Sequence, residues 1–231
     1  MSQDEGYGTP RYEVKFNARG SHYSDILHWL SLDLATYHRP YPPRVVNNIY
    51  FDSPDLAAFQ ENISGVSSRA KLRLRWYGDS IGPKNITLEL KIKRNRYGWK
   101  RQQSFALANS LDQYSFRELT AELRSKAGPN MALLLGLNPC PVLLNRYSRD
   151  YFISGDEYVR ATVDKDLQFN DLRSSDGLGD AKRVVGPEIC VVEFKSSVED
   201  LSNLEKAVAR FRYPKTRNSK YAIGVMASLG Y

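Results

Sequence analysis

The chain has 231 residues, of which 42% are hydrophobic and 26% charged, so it is long enough for a sizeable folded core and is not a disordered or low-complexity protein. Its 33 basic and 26 acidic residues give a formal charge of +7, which favours anionic partners. No apolar run reaches the roughly 18 residues of a transmembrane helix, and the acidic N-terminus is unlike a signal peptide. We therefore expect a cytoplasmic protein with a flexible leader at residues 1–10, one domain over residues 11–231, and reduced thiols at Cys140 and Cys190.

The first half of the chain is predicted to be mainly β-structure. Alternating apolar and polar residues predict strands at residues 11–17, 45–51, 68–77, 85–94 and 97–107. Helical spacing predicts a helix at residues 24–36 with Ser24 as its cap, and another from residue 53 to about residue 62 with Pro54 in its first turn. The short connection at residues 95–97 predicts a hairpin.

The second half mixes helices and strands more evenly. Helices are predicted at residues 115–126, 130–135 and 198–211, with a short one within residues 217–229. Strands are predicted at residues 142–153, 158–169 and 188–196, with a hairpin at residues 154–156 and a polar loop at residues 170–180. The whole pattern indicates an α+β fold of about eight mostly antiparallel strands with peripheral helices.

The predicted strand at residues 68–77 carries a cation at every second position from Arg69 to Arg75. Successive side chains of a strand point to opposite faces, so these cations share one face at spacings of about 7 Å. The four cations are Arg69, Lys71, Arg73 and Arg75. Such a row repels itself unless a polyanion lies along it, which indicates a phosphate-rich ligand.

Four further predicted strands also carry charged or polar side chains at every second position. These sets are Arg11, Glu13 and Lys15; Glu89, Lys91 and Lys93; Arg160, Thr162 and Asp164; and Glu193 and Lys195. Taken singly, each face is typical of a solvated sheet exterior. Taken together, they favour a closed barrel with a charged lumen, in which cations and carboxylates must be paired or bind a ligand. A linear triphosphate with a divalent metal ion fits such a lumen, because Arg and Lys bind phosphate oxygens and carboxylates hold the metal.

The same residues form short motifs in a fixed order. The charged motifs are Glu13-x-Lys15, Arg73-x-Arg75, Glu89-x-Lys91 and Glu193-x-Lys195, and the others lie at residues 48–53, 147–149, 159–164 and 219–221. In this order the chain resembles the CYTH-like triphosphate tunnel metalloenzymes over residues 11–225. It is similar in particular to their VTC branch, the polyphosphate polymerase domains of the vacuolar transporter chaperone complex and their bacterial relatives. The resemblance implies an eight-stranded antiparallel β-barrel, the triphosphate tunnel, that binds ATP and inorganic polyphosphate.

The resemblance also implies roles for individual residues. The residues implied to contact phosphate are Lys15, Arg73, Arg75, Lys91, Lys100, Arg149, Arg160, Lys195, Arg217, Ser219 and Lys220. The last three belong to a C-terminal element that closes over the tunnel. Arg101 and Arg146 are close alternatives to Lys100 and Arg149. Glu193, with Glu13 as a second carboxylate, is implied to hold Mn²⁺ or Mg²⁺.

One departure from the resemblance bears on the expected reaction. Arg11 stands where many tunnel triphosphatases carry the first glutamate of Glu-x-Glu-x-Lys. Fewer carboxylates recruit metal more weakly and give less support to a hydrolytic water. We therefore expect a metal-dependent polyphosphate polymerase that uses the γ-phosphoryl of ATP. A tri- or polyphosphatase or nucleoside triphosphatase, and a non-catalytic polyphosphate-binding or sensing domain, are the alternatives.

Other partners have less support in the sequence. Trp99 beside Lys100 and Arg101 could stack on single-stranded nucleic acid, but no Gly/aromatic RNA-binding signature accompanies it, so no nucleic-acid partner is expected. Coupling to a membrane would need a separate membrane partner. The sequence leaves the oligomeric state open.

Overall fold

The computed structural model describes residues 10–217 and 219–231, so residues 1–9 of the predicted leader lie outside the described residues. The strands are β1 (Arg11–Arg19), β2 (Arg44–Asp52), β3 (Ser68–Tyr77), β4 (Asn85–Arg94), β5 (Tyr97–Ala106), β6 (Cys140–Ile153), β7 (Arg160–Asp171), β8 (Lys182–Val184), β9 (Ile189–Ser197) and β10 (Lys215–Thr216). The helices are α1 (Tyr23–Leu32), α2 (Ala57–Ile63), α3 (Phe116–Lys126), α4 (Pro129–Leu137), α5 (Leu201–Arg210) and α6 (Lys220–Ser228).

Eight of these strands close into an antiparallel barrel, which confirms the predicted α+β fold. Their order around the barrel is β1-β5-β4-β3-β2-β6-β7-β9, and β9 pairs back onto β1 along the full length of β1. The contact between β1 and β5 is a single pair, Arg11 with Gly98. The two short strands add to the rim of this barrel, β8 beside β7 and β10 beside β1.

The apolar core lies between the barrel wall and the helices rather than in the lumen. One cluster packs α3 and α4 on β3 and β4, with Leu74 and Leu88 fully buried. A second packs α1 and α5 around Phe16 and Phe194, and a third packs α2 and α6 around Tyr221. Each such side chain contributes about 1.5–3 kcal/mol of burial free energy, so the barrel is held together from outside and its lumen is left for polar groups.

Helix α1 is shorter than predicted at its C-terminal end. It runs from Tyr23 to Leu32, so Ser24 lies inside the helix and is not its cap. Asp33 leaves the helical conformation, and its carboxylate binds Arg210 of α5 at 2.6 Å. This ion pair holds the chain away from the path of a longer helix.

Two other helices begin later than predicted because local hydrogen bonds form turns first. Helix α2 begins at Ala57, and Pro54 lies in the preceding turn. Helix α5 begins at Leu201, since Ser197 donates to the carboxylate of Asp200 at 2.7 Å and accepts from its backbone N–H at 3.2 Å. Such side-chain turns compete directly with the first turn of a helix.

Cys140 and Cys190 are both free thiols, and Cys190 is fully buried, whereas Cys140 is half-buried. No helix in the part of the chain that the structure describes is long and apolar enough to cross a membrane.

Candidate functional site: a cationic barrel lumen

The register of β3, β4 and β5 arranges their lumenal side chains in rows across the barrel wall. The rim row consists of Arg69, Lys93 and Gly98 together with Arg11 of β1. The lysine row consists of Lys71, Lys91 and Lys100, and the arginine row consists of Arg73, Glu89 and Gln102. Of the predicted cation stripe on β3, Lys71, Arg73 and Arg75 line the lumen, and Arg69 lies beyond them in the rim row.

These rows surround a cavity of about 910 Å³. The cations that line it among the described residues are Arg11, Lys15, Lys71, Arg73, Arg75, Lys91, Lys100, Arg101, Arg149, Lys195 and Lys220. The carboxylates that line it in the same part of the chain are Glu13 and Glu193. This excess of positive charge in a confined space favours an elongated, highly charged anion.

Glu89 is the counter-ion of Arg73, which lies in the same row, and of Arg75, the next lumenal residue of β3. Its carboxylate accepts from Arg73 Nε at 2.9 Å and Nη2 at 2.6 Å, and it lies 3.7 Å from Arg75 Nη1 and 3.5 Å from Lys100 Nζ. The side chain is only 3% exposed. Burial disfavours its charge, but Arg73 and Arg75 prevail and lower the pKa of Glu89 to about 2. A permanent carboxylate thus fixes both arginine side chains.

Arg75 continues this network across the lumen. Its Nε donates to Asn48 Oδ1 at 2.9 Å, and its Nη2 donates to the hydroxyl of Tyr147 at 3.4 Å. Burial raises the pKa of Tyr147, but the nearby Arg149 and Arg75 lower it to about 8. The low phenol pKa follows from the positive charges of Arg149 and Arg75 beside this hydroxyl.

Asp164 joins β7 to the start of α6. It is fully buried, accepts from Arg149 at 2.5 and 2.7 Å, and accepts from Lys220 Nζ at 2.5 Å. Ser219 caps α6 by accepting from a backbone N–H, and Lys71 Nζ donates to the Ser219 hydroxyl at 2.8 Å. These contacts bring the predicted Ser219–Lys220 element into the cavity.

Glu13 of β1 and Glu193 of β9 lie on adjacent strands. Glu13 is paired across the strands with Lys195, and Glu193 with Lys15. Lys15 Nζ lies 2.9 Å from Glu13 and 3.5 Å from Glu193, and Lys195 Nζ lies 3.0 Å from Glu193. Lys91 of the lysine row also binds Glu13, at 2.8 Å. Burial opposes ionisation of Glu13, yet Lys15 and Lys91 hold its pKa well below the usual range.

This carboxylate pair fits a hard divalent cation that also has phosphate ligands. Glu193 Oε1 is buried, and apart from its ion pair with Lys15 Nζ at 3.5 Å it has no hydrogen-bond partner among the described residues. No group of three or more metal-ligating side chains occurs in residues 10–217 and 219–231. Mg²⁺ is commonly held by one or two carboxylates with water and substrate phosphates, so Glu13 and Glu193 suffice only if a phosphate ligand completes the site.

The lysine row has too few counter-ions for its charge. Burial, followed by the charges of Lys15 and Lys91, holds the pKa of Lys71 well below its ordinary value. Burial also lowers the pKa of Lys91 to about 8, although Glu13 partly offsets this effect. A bound anion would relieve both penalties, so these ammonium groups are suited to bind one.

Most of the residues predicted to contact phosphate line this one cavity, but two do not. Arg160 is exposed at the beginning of β7 opposite Lys195, and Arg217 lies beside Gly65 before β3. The phosphate contacts of all these residues stay predictions. Of the two alternatives weighed, Arg101 lines the cavity, whereas Arg146 lies outside the lining and binds Asp79 at 2.6 Å.

Several lumenal residues were not among those that the resemblance implied to contact phosphate or metal. These are Arg11, Asn48, Lys71, Glu89, Tyr147 and Asp164. Glu89 and Asp164 belong to charged strand faces that the alternation marks, so their orientation was predictable. Their partners depend on register across strands distant in sequence.

Comparison with known proteins gives one family and several remote structural likenesses. No curated protein matches the chain. The PH1819 protein from Pyrococcus horikoshii OT3 has 13% identity and a TM-score of 0.49, covering 94% of this chain and 99% of that one. A putative adenylate cyclase from Vibrio parahaemolyticus has 13% identity and a TM-score of 0.42, covering 86% and 83%. One chain of the Schizosaccharomyces pombe Mediator head module has 7% identity and a TM-score of 0.43, covering 87% of this chain and 92% of that one.

The family comparison covers nearly the whole chain. The model of the VTC domain family matches residues 10–229, which include every strand and helix of the barrel and its cover. The lumenal residues described above all lie within this match. The chain therefore belongs to the VTC domain family.

Proposed function

We propose that this domain is a metal-dependent polyphosphate polymerase, which transfers the γ-phosphoryl of ATP to a growing inorganic polyphosphate chain. The observation that carries the proposal is the cavity of about 910 Å³, in which cations greatly outnumber carboxylates among the described lining residues. Membership of the VTC domain family supports the same class of ligand. A lumen lined by successive cations along its strands suits a linear polyanion better than a compact ligand.

The proposed reaction needs no protein nucleophile. A terminal oxygen of the polyphosphate attacks the γ-phosphorus, a new P–O bond forms, and the bond from that phosphorus to the β–γ bridging oxygen breaks. ADP leaves with that oxygen, the polymer gains one phosphate and its charge, and no net proton transfer is required. Negative charge spreads over the transferred phosphoryl group, so positioning and fixed cations supply most of the catalysis.

Different lumenal side chains would orient the phosphates and hold the metal ion. Arg73 and Arg75 are already oriented by Glu89, and Arg149 by Asp164, so little side-chain ordering remains when phosphate binds. Glu13 and Glu193 would hold Mn²⁺ or Mg²⁺. When bound, such an ion neutralises charge on the phosphate oxygens.

The decisive experiment incubates the purified protein with ATP and Mn²⁺. A polyphosphate stain and a free-phosphate assay are then run on the reaction mixture. Calorimetry with tripolyphosphate is run on a separate portion of the same protein preparation, without ATP. Long polymer supports the proposal. Release of orthophosphate alone indicates a hydrolase, and tight tripolyphosphate binding without turnover indicates a binding or sensing domain.

A further inference from the structure

The rim row contains three cations and no carboxylate. Arg69 is paired directly with Lys93, Lys93 with Gly98, and Gly98 with Arg11. Like charges that lie opposite each other in antiparallel strands destabilise the pair. The Arg69–Lys93 pair therefore has a cost that a bound polyanion would offset.

Neighbouring groups increase this repulsion. Within residues 10–217 and 219–231, Arg11, Arg69 and Lys93 form no salt bridge with a carboxylate. Burial and the charge of Arg217, which lies beside Gly65, lower the pKa of Arg69. Burial and the charge of Arg69 likewise lower the pKa of Lys93. Glu61 attracts Arg69 and Glu13 attracts Lys93, but neither fully offsets burial and repulsion, so the row keeps an excess of positive charge.

The rim row lies where the lumen meets a second groove. Arg11 and Gly98 line the main cavity, whereas Arg69 lines a groove of about 570 Å³ against the outer face of β4 and helix α4. Arg101 and Asn130 line both spaces, so the two are adjacent. Gly98 adds no side chain to the row, and a Cβ placed there would come no closer than 3.8 Å to its neighbours. At β5, therefore, no side chain fills the row.

We propose that the rim row is a separate polyphosphate-binding subsite, which holds the part of a long chain that extends beyond the tunnel. This inference rests on the proposed function. A ligand in contact with both Arg73 and Arg69 must span four residues of β3, or about 14 Å. Short ligands therefore bind in the lumen alone, and long ones also contact the rim row.

The test compares two double variants of equal charge change. Arg69→Ala/Lys93→Ala removes two rim cations, and Lys182→Ala/Arg183→Ala removes one arginine and one lysine from exposed positions of β8. Affinities for tripolyphosphate and for long-chain polyphosphate are measured by calorimetry at one salt concentration. The rim variant is expected to weaken long-chain binding by at least about fivefold and tripolyphosphate binding by less than about twofold. The β8 variant should change both by less than about twofold.

A second pair of variants adds charge without removing an existing side chain. Gly98→Asp places a carboxylate within the rim row, and Gly98→Ala tests the added Cβ alone. Because Gly98 also lines the main cavity, Gly98→Asp should weaken the binding of both ligands and that of the long chain more strongly, whereas Gly98→Ala should show no such difference between the ligands. Equal losses for the short and long ligands, or unchanged long-chain affinity in the rim variant, would overturn the rim subsite.

The outcomes separate the rim subsite from the polymerase proposal. Polymer synthesis by a rim variant with undiminished long-chain affinity would refute the subsite and leave the polymerase intact. Selective loss of long-chain affinity in a protein that makes no polymer would support the subsite and refute the polymerase. A protein that binds neither ligand would refute both.

Discussion

Glu89→Gln should destabilise the free protein, because it removes the charge that holds Arg73 and Arg75 while preserving the shape of the side chain. The carboxylate is 3% exposed and contacts Arg73, Arg75 and Lys100. A pKa of about 2 in place of the ordinary 4.5 corresponds to roughly 3 kcal/mol of stabilisation at neutral pH. The substitution is therefore expected to lower the free energy of unfolding by about this amount.

Urea unfolding at neutral pH measures this loss, with Glu205→Gln on the exposed face of α5 as the matched control. The control should change stability by less than about 0.5 kcal/mol. Since the native pKa of Glu89 is depressed, its contribution is complete above pH 4.5 and is lost as the pH falls towards about 2. The difference between the variant and the native protein should shrink over the same range.

Adding tripolyphosphate should have the opposite effect on the stability of the variant. This distinguishes a residue that acts as a counter-ion from one that binds the ligand. In Glu89→Gln, a phosphate takes the place of the missing carboxylate beside Arg73 and Arg75. Ligand should therefore raise the stability of the variant more than that of the native protein. A loss below about 1 kcal/mol without ligand, or weaker tripolyphosphate binding by the variant, would refute the counter-ion role.

Three further predictions concern the lumen. Arg73→Ala or Arg75→Ala should weaken tripolyphosphate binding by about tenfold or more in calorimetry without added metal, and unchanged affinity would contradict the tunnel assignment. Glu193→Gln should abolish metal-dependent turnover but retain most phosphate affinity; full turnover in this variant would remove Glu193 from the metal site. Ultraviolet absorbance should show a tyrosinate forming at about pH 8 that is absent in Tyr147→Phe. Tripolyphosphate should shift this titration to higher pH by neutralising the field of Arg149, and an ordinary titration near pH 10 would show that the field is weaker than inferred.

The strands could be predicted accurately because each separates a polar lumen from an apolar cover. Alternation predicted β3 and β4 at their observed bounds, Ser68–Tyr77 and Asn85–Arg94. The same pattern correctly placed Arg73 and Arg75 together, since a shift of one residue would have turned their apolar neighbours into the lumen. Local periodicity was sufficient to predict a strand wherever one of its faces contacts the polar lumen and the other contacts the apolar core.

The remaining features depend on contacts between distant parts of the chain. Helix α1 stops at Leu32 because Asp33 binds Arg210, a partner 177 residues away. The short strand β8 was not predicted, because three residues paired with the end of β7 carry too little pattern. Lys71 was predicted on the cationic face, but its bond to Ser219 follows only from the docking of α6.

The placement of the carboxylates explains how a barrel can keep an excess of cations in its lumen and remain folded. Apolar burial outside the wall supplies the cohesion, so the lumen need not be electrically neutral. Glu89 and Asp164 each hold two or more cations in the interior, where unpaired charge is most costly. The rim row has no such carboxylate, and it lies where water and the adjoining groove reduce that cost. The rim row thus keeps uncompensated charge at the place where we propose that a long polyphosphate chain leaves the lumen, and this charge would let the protein distinguish long phosphate chains from short ones.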